Sequence, residues 1–101
     1  MPGIHFAAVR SQISIEQVLR MLDFQATRRR GRHLRGRCPL SCGVKNAFVA
    51  DTITGRYRCF ACGSRGTQLG LWSAATDLPL YTATIDLCRR VGLAIPWIHI
   101  K

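Results

Sequence analysis

Cys38-Pro39-Leu40-Ser41-Cys42-Gly43 and Cys59-Phe60-Ala61-Cys62-Gly63 decide how this 101-residue chain is read. Two close cysteine pairs separated by residues 43–58 have the spacing of a tetrahedral Zn²⁺ site. Each pair ends in Cys-Gly. A glycine there accepts positive φ, so the chain can turn tightly and aim its N–H groups at the sulfurs. Uncoordinated buried thiols and two disulfides are the competing readings. One structural zinc ion held by Cys38, Cys42, Cys59 and Cys62 fits the spacing better than either. His33 is a lesser candidate for a ligand.

A chain of this length makes one small domain, and small domains bury a modest fraction of their surface. A structural zinc contributes about 10–16 kcal/mol in small metal-dependent folds, against a typical net stability of about 5–15 kcal/mol. The central region should therefore need its metal. Cys88, the fifth cysteine, falls on the apolar stripe of a helix and reads as a small core residue. An odd cysteine count with metal spacing, and no signal peptide, point to a reducing cytoplasmic setting. No apolar run is long enough to span a membrane.

The formal charge is +10, and 13 of the 15 basic residues are arginine. Such an imbalance points to a polyanionic partner. Arginine offers a flat fork of donors for phosphate and a plane that stacks on bases. The charge peaks at Thr27-Arg28-Arg29-Arg30-Gly31-Arg32-His33-Leu34-Arg35-Gly36-Arg37. Its glycines argue against a helix. The expectation is a turn at Gly31 and a short strand from His33 into the first knuckle. Phosphate contacts are assigned to Arg28, Arg29, Arg30, Arg32, Arg35 and Arg37.

Working outward, Ser14 and Gln17 form a capping box, and Ile15, Val18, Leu19 and Leu22 make one apolar stripe. They predict a helix over Ser14–Phe24. Residues 1–12 show no pattern and read as an N-terminal arm. Asn46–Asp51 and Arg56–Phe60 read as two strands of a hairpin turning at Thr52-Ile53-Thr54-Gly55. Period-two alternation puts Arg56, Arg58 and Phe60 on one face and Tyr57 with Cys59 on the other. Arg65 stands at the rim of the second knuckle. A helix over Gln68–Thr76 follows Thr67, and another begins at Pro79 and ends before Gly92. Residues 94–101 form an apolar tail that docks or begins a linker. The fold class is α+β: a zinc ribbon with a small antiparallel sheet, an N-terminal helix and two C-terminal helices.

Gly31-Arg32-His33-Leu34-Arg35-Gly36-Arg37-Cys38-Pro39, Tyr57-Arg58-Cys59-Phe60-Ala61-Cys62-Gly63 with Gly66, and Arg89-Arg90-Val91-Gly92-Leu93 occur in a familiar order. Over residues 13–93 the chain resembles the zinc-binding domain of bacterial-type DNA primases, the Cys-His-Cys-Cys zinc-finger family also found in phage, plasmid and transposon primases. It departs from that pattern at Ser41, where the family has His and a cysteine follows at once. It departs again at Lys45-Asn46-Ala47, before Phe48, and at Thr67. The resemblance implies a module that touches template DNA and helps place the start of a primer.

Primases hold divalent metals on clustered acids in a separate domain. Here Glu16, Asp23, Asp51, Asp77 and Asp86 are scattered, and no P-loop or dinucleotide motif is present. No catalysis by this chain alone is expected. Two classes of function remain, and the first expectation is a zinc-dependent nucleic-acid-binding module for single-stranded DNA, with Phe60 as a stacking surface beside Arg56, Arg58 and Arg65. The alternative is a regulatory zinc module that docks on a replication or mobile-element enzyme. The length and the initiator Met fit a stand-alone or mobile-element member.

Overall fold

The computed structural model describes residues 3–40 and 42–98. In chain order the elements are β1 (Gly3–Ile4), α1 (Phe6–Gln12), α2 (Ile15–Met21), β2 (Ala26–Arg30), β3 (His33–Gly36), β4 (Phe48–Asp51), β5 (Arg56–Cys59), β6 (Arg65–Thr67), α3 (Gln68–Thr76), α4 (Leu80–Val91) and β7 (Trp97–Ile98). Strands β2 to β6 form a five-stranded antiparallel meander in chain order, while β1 pairs with β7. The class is α+β, as the sequence implies.

The capping box at the start of α2 is present: Ser14 Oγ accepts from the Gln17 N–H at 3.2 Å, and Gln17 Oε1 accepts from the Ser14 N–H at 2.8 Å. The helix stops before the expected Phe24 because Asp23 adopts a left-handed conformation, φ 57°. Phe24 then turns inward and packs on Phe48, with ring centroids 5.2 Å apart. Phe48 in turn stacks on Tyr57 at 5.5 Å. This aromatic row covers the inner face of the sheet, alongside the buried Leu34, Ala50 and Cys59. Gly36 lies in the same layer, where a Cβ would sit 2.7 Å from the Gln25 carbonyl oxygen and 2.9 Å from the Phe24 ring.

Helices α3 and α4 lie close to expectation. Leu69, Leu71 and Trp72 of α3 are buried with Ala83, Leu87 and Cys88 of α4. Trp72 Nε1–H donates to Asp86 Oδ2 at 3.1 Å, and Arg90 Nε–H reaches the same oxygen at 2.9 Å. Thr67 stands at the N-cap of α3, but its side chain makes no cap hydrogen bond. Gly92 ends α4 with φ 75°.

The structure corrects the N-terminal arm. Residues 3–12 fold into β1 and α1, and Ile4 and Val9 enter the core at 2% and 0% exposure. Gly3 and Ile4 pair with Ile98 and Trp97, and the His5 N–H donates to the Pro96 carbonyl at 2.8 Å. The C-terminal segment therefore docks through residue 98. The apolar pattern of α1 escapes the eye because seven residues give a single buried position.

Truncating Val9 to Ala should lower the stability of the zinc-loaded protein by about 2 kcal/mol, the loss of two well-buried methyl groups. A urea melt measures it; an unpacked arm would show no change.

Candidate metal centre and basic sheet face

The two knuckles hang from the ends of β3 and β5. After β3 the chain turns through Cys38 and Cys42, with the Gly43 N–H donating to the Leu40 carbonyl and the Cys38 N–H to that of Val44, both at 3.2 Å. After β5, the Cys59 N–H donates to the Ser64 carbonyl at 2.8 Å, and the Gly63 N–H to the Cys59 carbonyl at 3.0 Å. Gly43 and Gly63 take φ of 55° and 77°, the left-handed turn that the Cys-Gly pairs imply.

This folding gathers four sulfurs. The Sγ atoms of Cys38, Cys42, Cys59 and Cys62 lie within 4.8 Å of one another, with Cys42 and Cys59 at 3.6 Å. Zn–S bonds of about 2.3 Å in a tetrahedron put sulfurs roughly 3.8 Å apart, so the cluster fits one zinc ion with little adjustment. All five cysteines are free thiols rather than disulfides. Cys88 is buried away from the cluster in α4, as expected of a core residue. His33 sits at the opposite end of β3, with its Nε2 3.6 Å from Asp51. Ser41 lies outside the described residues.

The electrostatics favour a shared cation. Burial, foremost, pushes the Cys38 thiol far above its usual range. Burial also opposes ionisation of Cys59, but the N–H groups of Cys62 and Ala61 and the neighbouring thiols outweigh it and lower its pKa. The Ser64 N–H favours a Cys62 thiolate, yet competition with Cys59 leaves Cys62 raised. Four thiols this close lose their protons together only when a metal takes up the charge. With four sulfurs bound, zinc has no open position and its part is structural.

The sheet carries the second feature. Directly opposed residues of an antiparallel pair share a face. Arg28 opposes Arg35, Arg35 opposes Val49, Val49 opposes Arg58, and Arg58 opposes Arg65. One row thus crosses all five strands on the outer face, and its four arginines are exposed. By the same alternation Arg30 and Arg56 lie on this face. Phe60, 60% exposed, follows β5 there, with the Arg58 guanidinium 4.9 Å from its ring centroid.

Three of the expected phosphate contacts fall outside that row. Arg29 opposes Leu34, so it points to the inner side, beyond the edge of the core. Arg32 is spoken for: its Nε–H is 2.9 Å from both oxygens of Asp51, and Nη2 is 2.7 Å from Oδ2. Asp51 also accepts from the N–H groups of Ile53 and Thr54 at 2.9 and 3.1 Å, so the pair fastens the β2–β3 turn to the β4–β5 turn. The Arg32 guanidinium, foremost, holds the Asp51 carboxyl far below the usual carboxylate range. Arg37 lies past the end of β3, exposed, and reaches the Gly43 carbonyl at 3.3 Å.

Sequence reasoning missed β2 and the place of Val49. Gly31 at the first position of a two-residue turn, φ 59°, was the available signal for a hairpin pairing Arg30 with His33. Nothing in the sequence tells which residue of β4 stands between Arg35 and Arg58. Of the other acids, Glu16 lies in the first turn of α2, Asp23 and Asp77 adopt left-handed φ after α2 and α3, and Asp86 binds Trp72 and Arg90. Among the described residues no helix is long and apolar enough to cross a membrane.

Comparison with known proteins gives one family. A family model described as the CHC2 zinc finger, the zinc ribbon of DnaG, matches residues 3–100. No curated protein sequence matches the chain. Among solved structures, the zinc-binding and RNA polymerase domains of the Aquifex aeolicus primase superpose with a TM-score of 0.70 at 23% identity. The match covers 85% of this chain and 21% of that one, so the chain spans about a fifth of the length of that primase structure.

Replacing Cys42 by Ser should abolish tight binding of one zinc ion per chain, and Cys88→Ser should leave it intact. A chromophoric chelator competition measures both. Affinity should fall as pH is lowered, because protons compete for the thiolates.

Proposed function

The chain belongs to the CHC2 zinc-finger family, and from that premise we propose that it is a zinc-dependent module that binds single-stranded DNA on the outer face of its sheet. The observation that carries the reading is the arginine row with Arg58 stacked on Phe60. Single-strand binders combine a basic track with aromatic platforms, because every base has a face to stack and every linkage a phosphate to pair. Arg28, Arg30, Arg35, Arg56, Arg58 and Arg65 are the phosphate contacts in this reading, with Arg37 at the rim. Arg29, on the other side of the sheet, and Arg32, paired with Asp51, take no part in this reading, and Phe60 offers its free side to a base.

In the metal site, Cys42 takes the part that His has in the family pattern. The zinc ion supplies no chemistry to a substrate. It holds the knuckles so that Phe60 and the ends of β3 and β5 keep fixed positions. The domain has no catalytic step of its own in this reading; it presents a template strand to a cytoplasmic replication or mobile-element enzyme. The primase whose zinc-binding domain it resembles in fold supports that assignment.

Binding is tested by fluorescence anisotropy with single-stranded and duplex oligonucleotides across a salt series. Affinity for the single strand should fall with salt at a log–log slope of roughly −0.7 per phosphate contacted. Phe60→Ala should weaken it by about 1–3 kcal/mol, the worth of one stacked base, without changing zinc content. If neither single strands nor duplexes bind at low salt, the reading fails, and a zinc module that docks on a protein takes its place.

A further inference from the structure

Resting on the single-strand reading above, we infer that the strand crosses the sheet at right angles to the β-strands. It is gripped there at two phosphates, one by Arg28 with Arg35 and the other by Arg58 with Arg65, while the intervening nucleotides pass over Val49. The register sets the geometry. The four arginines occupy the first, second, fourth and fifth places of one cross-strand row, and Val49 occupies the third.

Like charges directly opposite one another destabilise a sheet. Here two such pairs occur in one row, and among the described residues none of the four arginines meets a carboxylate. An anion between each pair would relieve that repulsion. Each pair also lines a hollow of its own. One, of about 400 Å³, is bounded by Thr27, Arg28, Arg35 and Asn46. The other, of about 440 Å³, includes Arg58 and Arg65 in its wall.

The two pairs are built alike. In each, the inner arginine is held: Arg35 Nε–H donates to the Asn46 carbonyl at 2.9 Å, and Arg58 lies over the Phe60 ring at 4.9 Å. Their remaining N–H groups are left for a ligand. The outer arginine of each pair, Arg28 or Arg65, comes from an edge strand. A fixed fork beside a freer one suits a phosphate that arrives from solvent.

Strand spacing converts the register into a footprint. The centres of the two pairs are three strand spacings apart, about 14 Å at roughly 4.8 Å each. A stacked single strand rises about 3.4 Å per nucleotide, so phosphates up to about four nucleotides apart bridge the clamps, and fewer when bases unstack. Joining two weak grips through one strand raises affinity without new contacts.

The test uses the zinc-loaded full chain and labelled oligothymidylates two to ten nucleotides long, titrated across a salt series. Affinity should climb with length until about five nucleotides, where both clamps fill, and then level off. Arg28→Gln and Arg65→Gln should each weaken binding and lower the log–log salt slope by up to about 0.7, the share of one phosphate, and the double variant by up to about 1.4, since Arg35 and Arg58 remain. Arg29→Gln, a control on the other side of the sheet, should change neither slope nor length dependence. The melting temperatures of Arg28→Gln and Arg65→Gln should match or exceed the parent value, since each removes a like-charge pair. Binding that persists with slopes unaltered by Arg28→Gln and Arg65→Gln, or lowered as much by Arg29→Gln, would overturn the two-clamp geometry while leaving the single-strand reading standing. An absence of binding by the parent chain to every oligonucleotide at low salt would overturn both.

Discussion

Four thiolates repel one another, and only a shared cation makes their proximity favourable. That constraint organises the rest of the molecule. The first knuckle ends β3 and the second ends β5, and these strands flank β4 on either side. A zinc ion joining Cys38 and Cys42 to Cys59 and Cys62 therefore ties the middle of the meander together at one end. At the other end the Arg32–Asp51 pair joins the two turns. The sheet is clamped at both extremities, by metal and by an ion pair. A five-stranded meander whose strands run three to five residues, over a modest core, has few other means of holding its register.

The two faces of the sheet follow opposite rules. The inner face is an apolar layer of Phe24, Phe48 and Tyr57; α3 packs on the sheet, and α2 and α4 pack on α3. The outer face concentrates arginine with little acidic compensation. Burial on one side supplies the stability that repulsion on the other side reduces. A surface with this imbalance is expected where an anionic ligand completes it, because proteins give up stability at sites of function rather than at random. Zinc belongs to the same economy: it lets a small fold carry an unfavourable face.

Much of this was legible beforehand. The cysteine spacing identified the metal site, since coordination demands particular atoms at short separations and few other constraints produce that pattern. Helices α2, α3 and α4 were legible because caps and apolar periodicity act over a single turn, as at Ser14 with Gln17 and at Gly92. What escaped depends on long-range pairing. Gly3–Ile4 and Trp97–Ile98 have no pattern of their own and become strands only by meeting each other. β2 hid inside a charge run, because an edge strand beyond the core shows no hydrophobic alternation; all five of its residues are exposed.

By itself, the sequence determined the chemistry: four thiols for one zinc ion, an excess of arginine, an exposed aromatic beside the second knuckle and the family to which the chain belongs. Each of these is a matter of residue identity and local spacing. Tertiary structure alone decided which arginines stand together. Arg28, Arg29 and Arg30 are consecutive in the chain, yet the pleat turns Arg29 away, and Arg32 is drawn off by Asp51. Arg28 and Arg65 stand far apart in sequence and share one row. Cross-strand register is a property of the pairing between segments, and no segment encodes it alone.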